Sequence, residues 1–227
     1  MFLDPTFILL IPAIILAIWA QNKVKSSFSR YSKVKSSFGM TGSELARHLL
    51  DNVGLYNIKI ESIKGKLTDH YDPKKKVVRL SEATKNSESI AALGVVAHEI
   101  GHVIQDKANY TPLVVRNAFA PVANFGSGLS WIIFIIGFLF WSPLLVRLGI
   151  ILFSLVVLFT LITLPVEYNA SKRAKIMLSR LGMPKKEVLA VNNVLSAAAL
   201  TYIASTLIAA LQLLRMILLA GFMGGDS

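Results

Sequence analysis

The stretch ESIAALGVVAHEIGHVIQ, residues 88–105, is the most informative part of this 227-residue chain for predicting its fold. Apolar side chains recur along it at helical spacing, at Ile90, Leu93, Val96 and Ile100, and this spacing predicts a helix that begins near Glu88 and ends near Gln105. Its apolar core, residues 91–104, is 14 residues long and contains charge, whereas crossing a membrane takes about 20 apolar residues. We therefore expect this helix to be buried inside a polar, folded domain.

The same helix carries the sequence His98-Glu99-Ile100-Gly101-His102, an HExxH pattern. Residues four apart lie on one helix face, so both imidazoles can bind a single zinc ion. Glu99 projects close by without binding the metal and can take a proton from the attacking water as general base. The pattern predicts a catalytic zinc site, and a purely structural pair of histidines on an apolar helix is the alternative.

A catalytic zinc usually needs a third protein ligand. The extended HExxHxxGxxH motif is excluded because Gln105 stands where its glycine would be. Asp106 lies about 12 Å along the helix axis from His98, which is too far to share the ion. Glu167 directly follows an apolar stretch and opens a predicted helix. From spacing alone it is either a ligand or an acid stabilised by the helix dipole.

A polar segment, residues 68–73, separates two predicted strands at residues 58–63 and 77–80. Its side chains include three possible metal ligands, Asp69, His70 and Asp72. The same residue types also stabilise sharp turns through local backbone hydrogen bonds, so both interpretations stay open. His48, on an earlier helix, is expected to be an ordinary surface residue.

The composition is too apolar for a soluble protein, with 54% hydrophobic and 16% charged residues, where about 25% charged is usual. The absence of cysteine excludes thiolate-bound zinc, iron–sulfur clusters and a disulfide scaffold. The net charge is +11. In so apolar a chain this charge favours basic residues beside membrane spans, and we expect no nucleic-acid partner.

Four uncharged apolar stretches approach the length needed to cross a bilayer. They are residues 6–20, extendable to Phe2, and residues 118–140, 148–166 and about 194–214. The turn Trp141-Ser142-Pro143 predicts that the second and third form a hairpin. The fourth stretch is mixed in composition and also suits a helix packed inside a bundle, so three spans are the alternative.

The distribution of lysine and arginine predicts the orientation. Residues 21–117 contain sixteen and residues 167–193 contain six, whereas the hairpin turn has only Arg147 and the N-terminal tail has none. Basic loops stay on the cytoplasmic side of a membrane. We therefore expect a multi-pass cell-membrane protein whose polar segments are both cytoplasmic.

The expected organisation has five parts. They are an anchor at residues 1–20, a cytoplasmic domain at 21–117, a membrane hairpin at 118–166, a cytoplasmic helix at 167–193, and a fourth span with its tail at 194–227. In the second part the sequence KVKSSF occurs twice, at Lys23–Phe28 and Lys33–Phe38. This basic strip either lies on anionic lipid headgroups or is a solvated linker.

Four segments together resemble the YugP-type bacterial neutral zinc metallopeptidases over nearly the whole chain. They are His70–Pro73, Val77–Ser81, Ala97–His102 and Leu164–Ser171. HExxH followed by Glu-x-x-Ala after a hairpin is also distantly similar to HtpX-type membrane proteases. That similarity implies Glu167 as third zinc ligand. HtpX-type sequences often have aspartate just after this alanine, whereas this chain has Ser171.

We therefore expect a mainly α membrane protein with four transmembrane helices and a small α+β, gluzincin-like domain. Strands that include residues 77–80 should lie beside the active-site helix, where an exposed edge could hold an extended substrate. The expected activity is zinc-dependent cleavage of protein or peptide substrates at the cytoplasmic face, with one zinc per chain. His70 and Arg173 are candidates for substrate contact, and membrane lipid is the other expected partner.

Two alternatives come from other functional classes. One is a membrane scaffold that binds zinc without catalysis, in which Glu99 would have no use as a base. The other is a protease that cleaves within the bilayer, which would need HExxH inside a membrane span.

Overall fold

The structure, a computed structural model, describes residues 5–224, so the possible extension of the first span to Phe2 lies outside the described residues. Among them are a 3₁₀ helix, Pro5–Leu10, seven α-helices and one three-stranded sheet. The chain order is α1 (Ile11–Tyr31), α2 (Gly42–Asn52), β1 (Lys59–Ile63), β2 (His70–Asp72), β3 (Val77–Ser81), α3 (Glu82–Lys85), α4 (Ile90–Lys107), α5 (Thr111–Leu139), α6 (Pro143–Arg180) and α7 (Lys185–Gly224). The predicted class, mainly helical with a small β component, is confirmed.

Four helical segments are long and apolar enough to cross a membrane. They are Pro5–Tyr31, Thr111–Leu139, Pro143–Arg180 and Lys185–Phe222. This supports four spans over three. The segments are longer than the apolar stretches because each helix continues into polar sequence, where hydrogen bonding within the helix does not depend on hydropathy.

Helix α6 differs from the prediction. A span ending at Val166 and a new helix opening at Glu167 were expected, but one helix runs from Pro143 to Arg180 with Pro165 inside it. Proline removes a single N–H donor, and the turns on both sides keep their own hydrogen bonds, so a long helix can continue through it. Glu167 therefore lies in a helix interior, and its interpretation as an acid at a helix N-terminus is wrong.

The described chain divides into two compact units. Within the described residues, the first comprises residues 5–20, 111–165 and 200–224, and the second comprises Gln21–Tyr110 and Val166–Ala199. In the first unit α5 and α6 form the predicted hairpin through a turn at Trp141, which has a φ of +50°. A Cβ atom on Gly149 would lie 2.8 Å from the Phe134 Cβ, so glycine permits the close approach of the two helices.

The second unit contains the sheet, in the order β1-β3-β2. Strand β3 is central and pairs with β1 in parallel and with β2 antiparallel. One expectation is corrected. Residues 70–72, predicted as part of a turn, form strand β2, because the tight turn at residues 73–76 folds them back onto β3. Residues 77–80 are central, and the free edges of the sheet belong to β1 and β2.

Helix α4 is the centre of the second unit. Ser89 caps its N-terminus by accepting a hydrogen bond from the Ala92 N–H, which satisfies one of the unpaired donors of the first turn. Most of its residues are buried, including Leu93, Val96 and Ile100. Among the described residues it is not one of the four membrane-length helices. The prediction of a helix buried in a folded domain is confirmed.

Candidate metal centre

Two helices bring three metal-binding side chains together. Helix α4 supplies His98 and His102 on one face, and α6 supplies Glu167. The Nε2 atoms of the two histidines are 3.2 Å apart, and the Oε2 atom of Glu167 lies 3.2 Å from one and 3.6 Å from the other. His102 and Glu167 are buried, and His98 is partly buried. Within the described chain these three side chains form the group that could hold a metal ion.

The spacing of these three atoms matches zinc. Bonds of about 2.0–2.1 Å at tetrahedral angles place neighbouring ligand atoms about 3.3–3.4 Å apart. The observed separations of 3.2, 3.2 and 3.6 Å span that value. Two imidazole nitrogens and one carboxylate oxygen are also a ligand set found at catalytic zinc sites. The residues present therefore fit the ion.

Small residues allow α4 and α6 to approach closely at this point. A Cβ atom on Gly101 would lie 2.7 Å from the Ala170 carbonyl oxygen, a contact that side chains do not make without displacing the backbone. Ala170 and Ala174 are fully buried on the facing side of α6. Gly101 lies between the two histidines in sequence, so this close approach of the two helices is next to the metal group.

Both histidines are oriented by a hydrogen bond on the far side of the ring. The His102 Nδ1 lies 3.0 Å from the Gln105 Oε1, and the His98 Nδ1 lies 3.1 Å from the Ser171 Oγ. Because an amide oxygen only accepts, the His102 Nδ1 carries the proton and its Nε2 keeps the lone pair that binds metal. Ser171 provides the corresponding oxygen for His98, at the position where HtpX-type sequences often have aspartate.

Gln105 is a site residue that the sequence interpretation missed. It is fully buried, and its Nε2 donates to the Val166 carbonyl at 2.8 Å and to the Asn169 Oδ1 at 3.0 Å. One side chain therefore holds His102 and also ties α4 to the turn of α6 that carries Glu167. The available signal was a polar residue three positions after His102, on the buried face of an apolar helix.

Glu99 lies beside the metal group without belonging to it. It is 8% exposed, and its Oε2 accepts a hydrogen bond from the backbone N–H of Tyr71 at 3.0 Å. The pKa of Glu99 is raised to about 7, chiefly by burial; His98 opposes this shift, and the nearby carboxylates of Glu167 and Asp69 add to it. A carboxyl group with a pKa near neutrality can both accept and release a proton under physiological conditions.

The other acidic and imidazole candidates are engaged elsewhere. Asp69 accepts from the Ser81 backbone N–H at 2.7 Å, and Asp72 accepts from the Lys74 and Lys75 backbone N–H groups and from Arg79. The His70 ring lies between the Thr68 carbonyl and Arg79. These contacts support the turn interpretation over metal binding.

Three further residues lie outside the metal group. Asp106 binds the Tyr71 hydroxyl at 2.6 Å and pairs with Lys76, in line with its exclusion by distance. Arg173 donates to the Asn169 Oδ1 at 2.7 Å, so it supports the same turn of α6 as Gln105. His48 is exposed on α2, as expected of a surface residue.

Comparison with known proteins agrees with this geometry. Residues 6–221 match the family described as "Putative neutral zinc metallopeptidase". This chain belongs to that family. A relative within it, "Putative membrane protease YugP" of Bacillus subtilis (strain 168), is 51% identical over 212 residues, which are 93% of this chain and 94% of the relative. No solved structure matches the chain.

The family match covers both units, including the four membrane-length helices and the metal group. The resemblance inferred from sequence is confirmed. With four apolar helices and a membrane-protease relative, the chain is a membrane protein of the neutral zinc metallopeptidase family.

Proposed function

We propose that this protein is a multi-pass membrane endopeptidase that cleaves protein substrates at the cytoplasmic face with one zinc ion per chain. The observation that carries the proposal is the convergence of His98, His102 and Glu167, with Glu99 buried beside them. A structural zinc site is closed by four protein ligands. Three ligands next to a carboxyl group that can transfer protons instead indicate an open, catalytic site.

Glu99 would be the proton carrier in the proposed reaction. Zinc bound by the three ligands would lower the pKa of an attacking water and polarise the scissile carbonyl. Glu99 takes a proton from that water as its oxygen bonds to the carbonyl carbon. It then gives the proton to the amide nitrogen as the carbon–nitrogen bond breaks. The products are a carboxylate and an amine. Burial raises the pKa of Glu99 in the metal-free protein, and a raised pKa helps a carboxyl group to act first as base and then as acid.

Strand β2 is the part of the sheet best placed to hold an extended substrate. It is an edge strand, and the Tyr71 backbone N–H points away from β3 to the Glu99 carboxylate. A peptide that paired with the remaining main-chain groups of this edge strand would therefore pass beside Glu99. This supports cleavage of extended or locally unfolded protein segments.

Glu99→Gln tests the catalytic proposal. Glutamine keeps the shape of the side chain but cannot take a proton. The purified variant should keep about one zinc per chain while its cleavage of dye-quenched casein falls by about 10²–10⁴-fold. Glu82→Gln, at an exposed position on α3, is the matched control and should behave as wild type. Zinc-loaded wild-type protein without peptidase activity would favour a scaffold, as would an unchanged Glu99→Gln variant.

Glu167→Gln tests the proposed third ligand. This substitution removes an anionic ligand, so it should lower zinc affinity together with activity, whereas Glu99→Gln should lower activity alone. Wild-type zinc affinity in this variant would contradict its role as third ligand.

Orientation is testable because the chain has no cysteine. Single cysteines at Lys75 and Lys185 should resist impermeant thiol reagents in intact cells, and a cysteine at Ser142 should react. Labelling at Lys75 in unbroken cells would overturn the cytoplasmic location.

A further inference from the structure

We propose that a basic pocket in the second unit binds the phosphate of an anionic phospholipid headgroup. The pocket has a volume of about 570 Å³ and lies apart from the metal group. Three segments form it: the end of α1 with the residues just after it, the β1–β2 loop, and the residues around α3. All of them belong to the second unit. The proposal does not depend on the peptidase activity.

The charge of the pocket is entirely positive. Lys25, Lys33 and Lys66 line it, and no acidic residue does. None of the three lysines forms an ion pair with any residue that the structure describes. Three unpaired ammonium groups around one cavity repel each other, and an anion placed between them relieves that repulsion. A phosphate group in the pocket would be attracted by all three positive charges.

The pocket also has an apolar wall, which favours a lipid over a free anion. Phe28 and Leu67 contribute to the lining beside the lysines, and Leu67 is 43% exposed. An exposed leucine next to Lys66 suits a molecule with both an anionic and an apolar part. A soluble phosphate would use the lysines and leave this apolar surface in water.

The position of the pocket along the chain places it next to the bilayer. The first apolar stretch ends at Ala20, and Lys25 follows five residues later in the same helix α1. Five residues of helix rise about 7.5 Å, which is similar to the thickness of the headgroup layer on one side of a membrane. Anionic lipids on the cytoplasmic side attract basic residues at this depth.

The duplicated KVKSSF sequence acquires a role in this proposal. The first copy supplies Lys25 and Phe28, and the second copy supplies Lys33. Helix α1 ends at Tyr31, between the copies. Phe28 and Lys33 lie three and eight residues after Lys25, a spacing that places them on one face of the helix and its last turn, so both copies contribute to one cavity.

Lipid titration of the full-length protein in a neutral detergent tests the proposal, with bound lipid counted by native mass spectrometry. The probes are dioctanoyl phosphatidylglycerol, dioctanoyl phosphatidylcholine and glycerol phosphate. The wild type should bind phosphatidylglycerol at least about tenfold more tightly than either of the other two. The triple variant Lys25→Gln, Lys33→Gln, Lys66→Gln should lose about 100-fold of this affinity, since each lysine near an anionic headgroup contributes about fivefold.

The matched control is the triple variant Lys59→Gln, Lys74→Gln, Lys75→Gln, which has the same net charge and changes exposed lysines outside the pocket. It should lose less than about threefold of the affinity, because charge alone does not form the site. All these side chains are exposed, so both variants should keep the wild-type circular dichroism spectrum. Equal losses in the two variants would overturn the proposal, and so would equal binding of phosphatidylcholine. Binding of glycerol phosphate as tight as that of the lipid would assign the pocket to a soluble anion and reject a lipid site.

Discussion

Two regions of the second unit contain the same kinds of side chain and use them in opposite ways. In the turn cluster, Asp69, His70 and Asp72, the polar atoms bind backbone N–H groups, a backbone carbonyl and Arg79. In the metal group, His98, His102 and Glu167, three atoms with lone pairs face one point.

The difference between the regions is where the hydrogen-bond donors lie. In the turn cluster, donors occupy the oxygens that a metal would need. In the metal group, Gln105 and Ser171 contact the far nitrogens of the two rings, and the near nitrogens face each other and Glu167 rather than backbone donors. Residue type alone therefore does not identify a metal site, whereas the direction of the lone pairs does.

The largest expected difference between the two regions is in zinc affinity. His98→Ala removes one of three ligands and should weaken zinc binding by about a thousandfold. His70→Ala should leave the affinity within about twofold of wild type, because its ring binds Thr68 and Arg79 instead. Competition with a chelating dye measures both. Comparable losses in the two variants would remove the distinction between the clusters.

The pKa of Glu99 predicts a pH dependence of stability in chelator-treated protein. Burial raises this pKa from 4.5 to about 7, so the folded state holds a proton that the unfolded chain releases, and stability falls as pH rises through this range. Glu99→Gln removes the buried charge and should stabilise the protein by about 3 kcal/mol above about pH 7. Near pH 4.5 the same substitution should change the free energy of unfolding very little, because Glu99 is already protonated in the folded state. Denaturant unfolding at both pH values measures this, and an equal effect at both would contradict the mechanism.

Gln105→Met tests the orientation of His102. Methionine fills the same volume and removes the hydrogen bonds to His102, Val166 and Asn169. Zinc affinity should fall by about 10–100-fold, the range found when a residue that orients a metal-binding histidine is lost. Gln21→Met, at an exposed position, is the control. Wild-type zinc affinity in Gln105→Met would mean that backbone packing alone orients the ring.

The smallest expected effect is a change in melting temperature on substitution of Asp72, in the turn cluster. The Lys75 backbone N–H and Arg79 lower the pKa of this partly buried carboxylate, so its charge favours the folded state above its ordinary pKa, and this contribution is lost as pH falls. Asp72→Asn should lower the melting temperature slightly at neutral pH and not below about pH 3, while zinc affinity is unchanged. A loss of zinc would show that the turn cluster supports the metal group.

Local patterns in the sequence were sufficient for several features. The spacing of His98 and His102 predicts a shared helix face, because residues four apart always meet in a helix. The apolar stretches identify the four membrane-length helices for a similar reason, since hydropathy and length act within one segment. These predictions involve no contact between distant parts of the chain.

Distant contacts account for what local patterns missed. Pro165 is a local signal for a helix end, yet one helix continues through it, so Glu167 was predicted at a helix start rather than in a helix interior. Strand β2 exists because residues 70–72 pair with β3, and three isolated residues carry no strand signal of their own. The residue types in this segment are typical of turns, so the sequence alone favoured a loop.

The sequence by itself determined that His98 and His102 share one helix face and which segments can enter a membrane, because periodicity and hydropathy act within one element. The tertiary structure decided that Glu167 lies beside both histidines, since it is 65 residues from His102 and reaches it only where Gly101 and Ala170 let α4 and α6 touch. The same contact between α4 and α6 brings Ser171 to the His98 ring and lets Gln105 bond both His102 and α6. No pattern within α4 or α6 alone specifies how one helix packs on the other, and that packing sets the position of every atom around the metal.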